Sequence, residues 1–205
     1  AGERDTEYSL IEIAVGGWPA GVEGSAEAVN ARLAAALSVT PPVQGLVEQV
    51  REQYGRIDLL VNNAAVKPRR AILEMDEWDW LRTLDVNLNG PFYLIQSVGR
   101  VMKEQGGGVI LNVTCHALGQ PNYAAYAASK AGLSELTRQA AHELSAFNIR
   151  VNAICPAAMD APGTPPTIPV EISTGIIDLA LFLCSADAGA ISGQIFSIDA
   201  GINAG

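Results

Sequence analysis

The chain is poor in cysteine, in positive charge and in long apolar runs. Three cysteines, Cys115, Cys155 and Cys184, are spread over 205 residues with no Cys-x-x-Cys pair. An odd number at such spacings argues against a disulfide framework and a zinc centre, and fits a reducing cytosol. No metal site is expected. Lysine and arginine total 13 against 22 aspartates and glutamates, a formal charge of −9. Phosphate backbones and anionic membrane surfaces call for the opposite balance, so neither nucleic acid nor membrane is expected as a partner. No apolar run approaches the roughly 20 residues that span a bilayer. The opening Ala1-Gly2-Glu3-Arg4-Asp5 lacks the apolar core of a secretory signal. A cytoplasmic location is therefore expected. There is no initial methionine, which leaves room for sequence ahead of Ala1.

What is present suits a packed α/β protein. Hydrophobic residues make up 49%. The length fits one domain, residues 1–205, with a sizeable core. Strand-like apolar runs at Leu10–Ala14, Ile57–Val61, Val109–Val113, Val151–Ile154 and Gln194–Ile198 alternate with helical stretches. Those stretches are Ser25–Ala36, Val43–Tyr54, Asp76–Gln105, Asn122–Phe147 and Ile176–Cys184. Such alternation predicts a parallel sheet covered on both faces. Gly55 stands where a helix-ending glycine belongs, and Asp76 where an N-cap belongs. Pro91 marks a bend or a join. No internal repeat and no second domain is visible.

The chemistry is concentrated at Tyr126 and Lys130. Four residues apart on a helix, they share a face. An ammonium beside a phenol favours the tyrosinate, so Lys130 is expected to lower the pKa of Tyr126 and suit it to proton transfer. Three further segments stand in order around the pair. Asn62-Asn63-Ala64-Ala65 follows a strand, Asp85-Val86-Asn87 lies in a helix, and Asn112-Val113-Thr114-Cys115 closes another strand.

Together these segments resemble the short-chain dehydrogenase/reductase family, of the bacterial type that includes 3-oxoacyl reductases and polyol dehydrogenases. The resemblance runs from about Ser38 to Gly205. It includes Gly55-Arg56-Ile57-Asp58, Arg150-Val151-Asn152-Ala153-Ile154, and Ser192-Gly193-Gln194 through Asp199-Ala200-Gly201. It implies a Rossmann-like doubly wound sheet, incomplete in its N-terminal half, and a nicotinamide cofactor, NAD or NADP. It also implies an alcohol or ketone substrate and a homodimer or homotetramer. By the same resemblance, Tyr126 is the acid/base and Lys130 binds the nicotinamide ribose. Asn87 is a relay residue whose backbone holds a water, and Cys115 borders the carbonyl. Asn62, Ala64, Tyr126, Lys130, Pro156 and Glu12 are implied at the cofactor. Blander readings remain beside these. Asn87 could cap or bend its helix, Asn62 and Asn63 could tie strands together, and Trp78 and Trp80 could belong to the core or a subunit interface. His142 reads as a surface residue. A Cys115–His116 pair is disfavoured, because adjacent residues on an extended segment point apart.

Departures from the family pattern cluster at the cleft. Cys115 stands where the family has serine. A thiol is the weaker donor, and losing a good hydrogen bond to a reacting carbonyl costs roughly 1–3 kcal/mol. Thr114 could substitute only if its loop shifts. Cys115 precedes Tyr126 by eleven residues, a short spacing for the family. The family's Thr-Gly-x-x-x-Gly-x-Gly turn, which holds the pyrophosphate on a helix N-terminus, has no intact copy. Either Gly17–Glu23 is a degenerate version, or Leu10–Ile13 is the second strand and Ser38-Val39-Thr40 follows the third. The second reading is preferred. It puts Glu12 on the adenosine ribose hydroxyls and favours NAD over NADP. After Pro156 come Ala157 and Ala161, where the family has glycine and a nicotinamide-contacting threonine, and most of the substrate lid is absent. The chain thus reads in two ways. One is an ordinary oxidoreductase whose glycine turn and lid are omitted from this sequence. The other is a protein that has lost dinucleotide binding and serves as a binding or assembly module. The retained Tyr126, Lys130 and Asn87 favour the enzyme.

Overall fold

A computed structural model describes residues 12–14, 40–115, 121–156 and 170–198, with backbone alone at 12–14, 40–42 and 170–174. Five strands form one sheet in the order β1 (Glu12–Ala14), β2 (Leu59–Asn62), β3 (Gly108–Val113), β4 (Ile149–Pro156) and β5 (Ile195–Ile198). Strands β2 to β5 are parallel, in registers that pair Asn62 with Asn112, Val113 with Ile154 and Ile154 with Phe196. The helices are α1 (Thr40–Tyr54), α2 (Glu77–Leu84), α3 (Gly90–Gln105), α4 (Ala124–Leu144) and α5 (Val170–Cys184). Among the described residues, no helix is long and apolar enough to cross a membrane.

Alternation along the strands divides the core between the two faces of the sheet. Leu60, Ile110 and Val151 pack with Val43 and Val47 of α1, Leu94 and Val98 of α3, and Ala140 and Ala141 of α4. Leu111, Ile154 and partly buried Val61 pack on the other face with Leu183 and Leu179 of α5. Each fully buried aliphatic side chain contributes about 1.5–3 kcal/mol by leaving water. The near-continuous apolar strands are thus what a sheet covered on both sides requires, and the expected doubly wound α/β class is observed.

One strand departs from expectation. Leu10–Ala14, read as the second of the parallel strands, contributes only Glu12–Ala14, and it pairs antiparallel with β2, Glu12 opposite Val61. The edge of β2 presents unpaired backbone groups, and a strand of either direction satisfies them. The side chain of Glu12 lies outside the described residues. So do the Ser25–Ala36 helix, Gly17–Glu23, Ser38, Val39, His116, Ala157, Ala161 and Asp199–Gly201.

The helix expected over Asp76–Gln105 is three segments. Asp76 caps α2 by accepting from the Asp79 N–H at 2.7 Å. A π turn then spans Asp85–Asn89, and α3 begins at Gly90 with Pro91 in its first turn. Proline costs little there, since the first turn's N–H groups lack helical partners. Gly106 ends α3 at φ 91 and Gly55 follows α1 at φ 79, left-handed positions that suit glycine. At the far end of the sheet, Arg150 donates to the carbonyls of Leu183, Ser185 and Ile191 at 2.9, 3.0 and 3.4 Å. Asn152 donates to Ile191 O at 2.8 Å and accepts from Gln194 N–H at 3.1 Å. The Arg150–Asn152 and Ser192–Gln194 motifs thereby lock β4 to the connection between α5 and β5.

Candidate active site

The carboxyl ends of β2, β3 and β4 lie side by side, the usual ligand position in an open α/β sheet. Helix α4 packs on β4 and supplies Tyr126 and Lys130 from its first two turns. Lys130 is 2% exposed, and its Nζ donates to the Val113 carbonyl at 2.7 Å, at the end of β3. The same ammonium lies 5.8 Å from the centre of the Tyr126 ring. Cys115, two residues beyond Val113, is close enough to the Tyr126 phenol to act on its ionisation. Phenol, thiol and ammonium are therefore together, although Cys115 and Tyr126 come from separate segments. Thr114 is turned away. Its N–H donates to Ile154 O at 2.8 Å and its hydroxyl donates to the same carbonyl at 3.3 Å.

The electrostatics differ from the simple expectation. The Tyr126 pKa is raised, chiefly by burial and then by Cys115 through charge and hydrogen bonding. The expected depression by Lys130 is absent. Instead burial lowers the Lys130 ammonium to about 8, and the nearby thiols of Cys115 and Cys155 offset part of that fall. Removing both groups from water favours the neutral form of each, and this outweighs their mutual attraction.

Asn87 is fully buried inside the π turn. Its side chain accepts from the Val66 N–H at 2.8 Å and donates to Val66 O at 2.9 Å and Ser129 Oγ at 3.0 Å. It therefore fixes the loop that carries Ala64 out of β2 and ties that loop to α4. Pro91 stands four residues later. In an α-helical ladder the N–H of residue 91 would serve the Asn87 carbonyl, and proline has none. Asn87 and Pro91 at i and i+4 thus deprive the Asn87 carbonyl of its α-type partner. Π turns recur at functional sites for the same reason.

Asn62 donates to Asn112 Oδ1 at 2.8 Å, and Asn112 donates to Thr137 Oγ1 at 2.9 Å. This chain ties β2 to β3 and β3 to α4, so the strand-tying reading of Asn62 has a geometric basis. The Asn62 Oδ1 is buried without a hydrogen-bond partner. Pro156 is buried at the end of β4, and Ala64 is half-buried in the loop after β2. Trp78 and Trp80, 51% and 38% exposed, are outside the core, and His142 is exposed on α4. Sequence reasoning passed over Lys67, whose Nζ lies 5.4 Å from the Tyr126 ring centre.

A family model described as enoyl-(acyl carrier protein) reductase matches residues 20–167. The chain is 36% identical over 176 residues to the 3-oxoacyl-[acyl-carrier-protein] reductase FabG of Thermotoga maritima, covering 78% of this chain and 72% of that protein. The chain belongs to the short-chain dehydrogenase/reductase family. Another relative in the family, the 3alpha-hydroxysteroid dehydrogenase of Mediterraneibacter gnavus, is 36% identical over 179 residues, with 80% and 72% covered. Among solved structures, gox2181 superposes at a TM-score of 0.73 with 31% identity, covering 82% of this chain and 74% of that one. A short chain dehydrogenase from Mycobacterium smegmatis superposes at 0.69 with 32% identity, covering 79% and 66%. As a short-chain dehydrogenase/reductase the chain is an oxidoreductase of the nicotinamide-dependent class. Its residues fit such a cofactor where they are described. An orphaned buried amide oxygen ends β2, the small Ala64 follows it, and an ammonium with three donors stands behind the phenol.

Proposed function

We propose that the chain reduces a ketone to an alcohol, with Tyr126 giving its proton to the carbonyl oxygen. The observation that carries this reading is the meeting of Tyr126, Cys115 and Lys130 at the end of β3. A phenol whose pKa is raised stays protonated through neutral pH, which suits the acid of the reductive direction. The cofactor, when bound, supplies hydride to the carbonyl carbon. Lys130 holds positive charge behind the phenol below its pKa of about 8 and binds the nicotinamide ribose. Asn87 holds the loop carrying Ala64 and, through its carbonyl, a water that leads Lys130 to solvent. Asn62, Ala64 and Pro156 border the cofactor. Glu12 belongs to this reading as the acidic residue for the adenosine ribose, a role that favours NAD over the 2′-phosphate of NADP. One domain, a cytoplasmic location and a homodimer or homotetramer complete the reading. Exposed Trp78, Trp80 and Phe92 on α2 and α3 support association.

Titration with NADH and NADPH, followed by fluorescence of the three tryptophans, tests the reading. Saturable binding is expected, tighter for NADH. Binding of neither would leave the assembly-module reading in its place. A second measurement addresses the thiol. Cys115→Ser restores a stronger donor beside Tyr126, and kcat should rise roughly 5–100-fold, the range that a hydrogen bond to the reacting oxygen spans. An unchanged or lower kcat would remove Cys115 from the site.

A further inference from the structure

Lys67-Pro68-Arg69-Arg70 places three cations in four positions of a chain whose net charge is −9. The run is held at both ends. Asn87 grips the backbone of Val66, and the Arg70 N–H donates to the Asn122 carbonyl at 2.9 Å where Arg70 bridges to Tyr123. Arg70 also meets a carboxylate, its Nε 3.5 Å from Asp79 Oδ2. Lys67 and Arg69 have no ion-pair partner among the described residues. They lie against aromatic rings instead. Lys67 Nζ is 4.6 Å from the centre of Tyr123 and 5.4 Å from that of Tyr126, and the Arg69 guanidinium carbon is 5.9 Å from Tyr123. Cation–ring contacts leave N–H donors unspent. The half-buried Lys67 is thus a positive group on a fixed backbone, without a carboxylate partner among the described residues and beside the proposed proton donor.

We propose that Lys67, assisted by Arg69, is a subsite for a carboxylate on the substrate, so that the enzyme acts on oxo acids. The Lys67 ammonium beside Tyr123 and Tyr126, and the Arg69 guanidinium beside Tyr123, offer charge-assisted donors that suit a carboxylate. The short reach from Lys67 to the Tyr126 ring sets carboxylate and carbonyl a few carbons apart. The position of the carbonyl rests on the function proposed above; binding of the carboxylate needs no hydride transfer.

The test uses 4-oxopentanoate and its methyl ester, which differ in charge at one end and share the ketone. Dissociation constants from ligand-observed NMR, without cofactor and with NAD⁺, which cannot reduce a ketone, give the anion-to-ester preference without turnover. Wild type should prefer the anion roughly 10–100-fold, Lys67→Gln should lose most of that preference, and Lys67→Arg should keep it. The ratio cancels any effect of Lys67 on Tyr126 itself. A wild type that binds neither compound or both equally, or a Lys67→Gln variant that keeps the preference, overturns the subsite. NADH oxidation in parallel samples separates the two ideas. A Lys67-dependent preference without oxidation leaves the subsite standing and counts against the proposed reduction of a ketone beside Tyr126. Oxidation without the preference does the reverse.

Discussion

Tyr126→Phe should lower kcat by about 10²–10⁴-fold while leaving the fold intact. The substitution removes one oxygen and keeps the ring, so the contacts of that ring with Lys67 and Lys130 have little reason to move. What disappears is the phenol oxygen that lies beside Cys115. No neighbour can take over. The Cys115 thiol is a weak donor, Thr114 is committed to Ile154 O, and the Lys130 ammonium is directed at Val113 O. Single-turnover oxidation of NADH, alongside the thermal midpoint, separates a chemical loss from a folding loss. Activity within tenfold of wild type at an unchanged midpoint would refute Tyr126 as the proton donor. The raised phenol pKa adds a direction to the expectation. Across neutral pH the proton is present to be given, so the reductive rate should not require alkaline pH for its tyrosine.

Much of this site was legible because family motifs report local necessities. Asn62 and Asn112 meet as a pair because parallel neighbours at matched register can exchange a side-chain hydrogen bond. Arg150 and Asn152 accompany Ser192-Gly193-Gln194 because the turn before β5 offers carbonyls that need donors. Helical spacing likewise put Tyr126 and Lys130 on one face. It could not say which of the two would bear the cost of burial, because desolvation depends on everything packed around the pair. Lys67 escaped notice for a related reason. It stands far from Tyr126 in sequence, and only the Asn87–Val66 and Arg70–Asn122 hydrogen bonds bring its loop to the phenol. The direction of β1 was equally out of reach. Alternation of side chains marks a strand but carries no sign of which way its neighbour runs.

Lys130→Met should separate catalysis from stability at this same site. Methionine fills nearly the volume of the lysine stem and removes the ammonium, so kcat should fall about 100-fold or more, since acid–base transfer loses its charged support. Stability should move the other way at neutral pH. The lysine titrates near 8 in the folded chain against 10.5 in the unfolded one. Between these values the unfolded state binds more protons than the folded state, so wild-type stability from this group rises with pH. Below about 8 both states are protonated and the full cost of holding a buried ammonium is present, about 3 kcal/mol at 1.36 kcal/mol per pKa unit. Above 10.5 both are neutral and the cost is gone. Tyr126 contributes with the opposite sign, because its raised pKa makes folding lose stability once the unfolded phenol ionises near 10. That contribution sets in only as the unfolded phenol ionises, so it enters the comparison only at the top of the pH range. Urea midpoints measured at intervals from pH 7 to 10 should therefore show the variant ahead at pH 7, with the wild type gaining on it steadily above pH 8. A difference that stays flat over that interval would mean that Lys130 is not held as a buried ammonium, and the pairing of a costly cation with a protonated phenol would have to be abandoned.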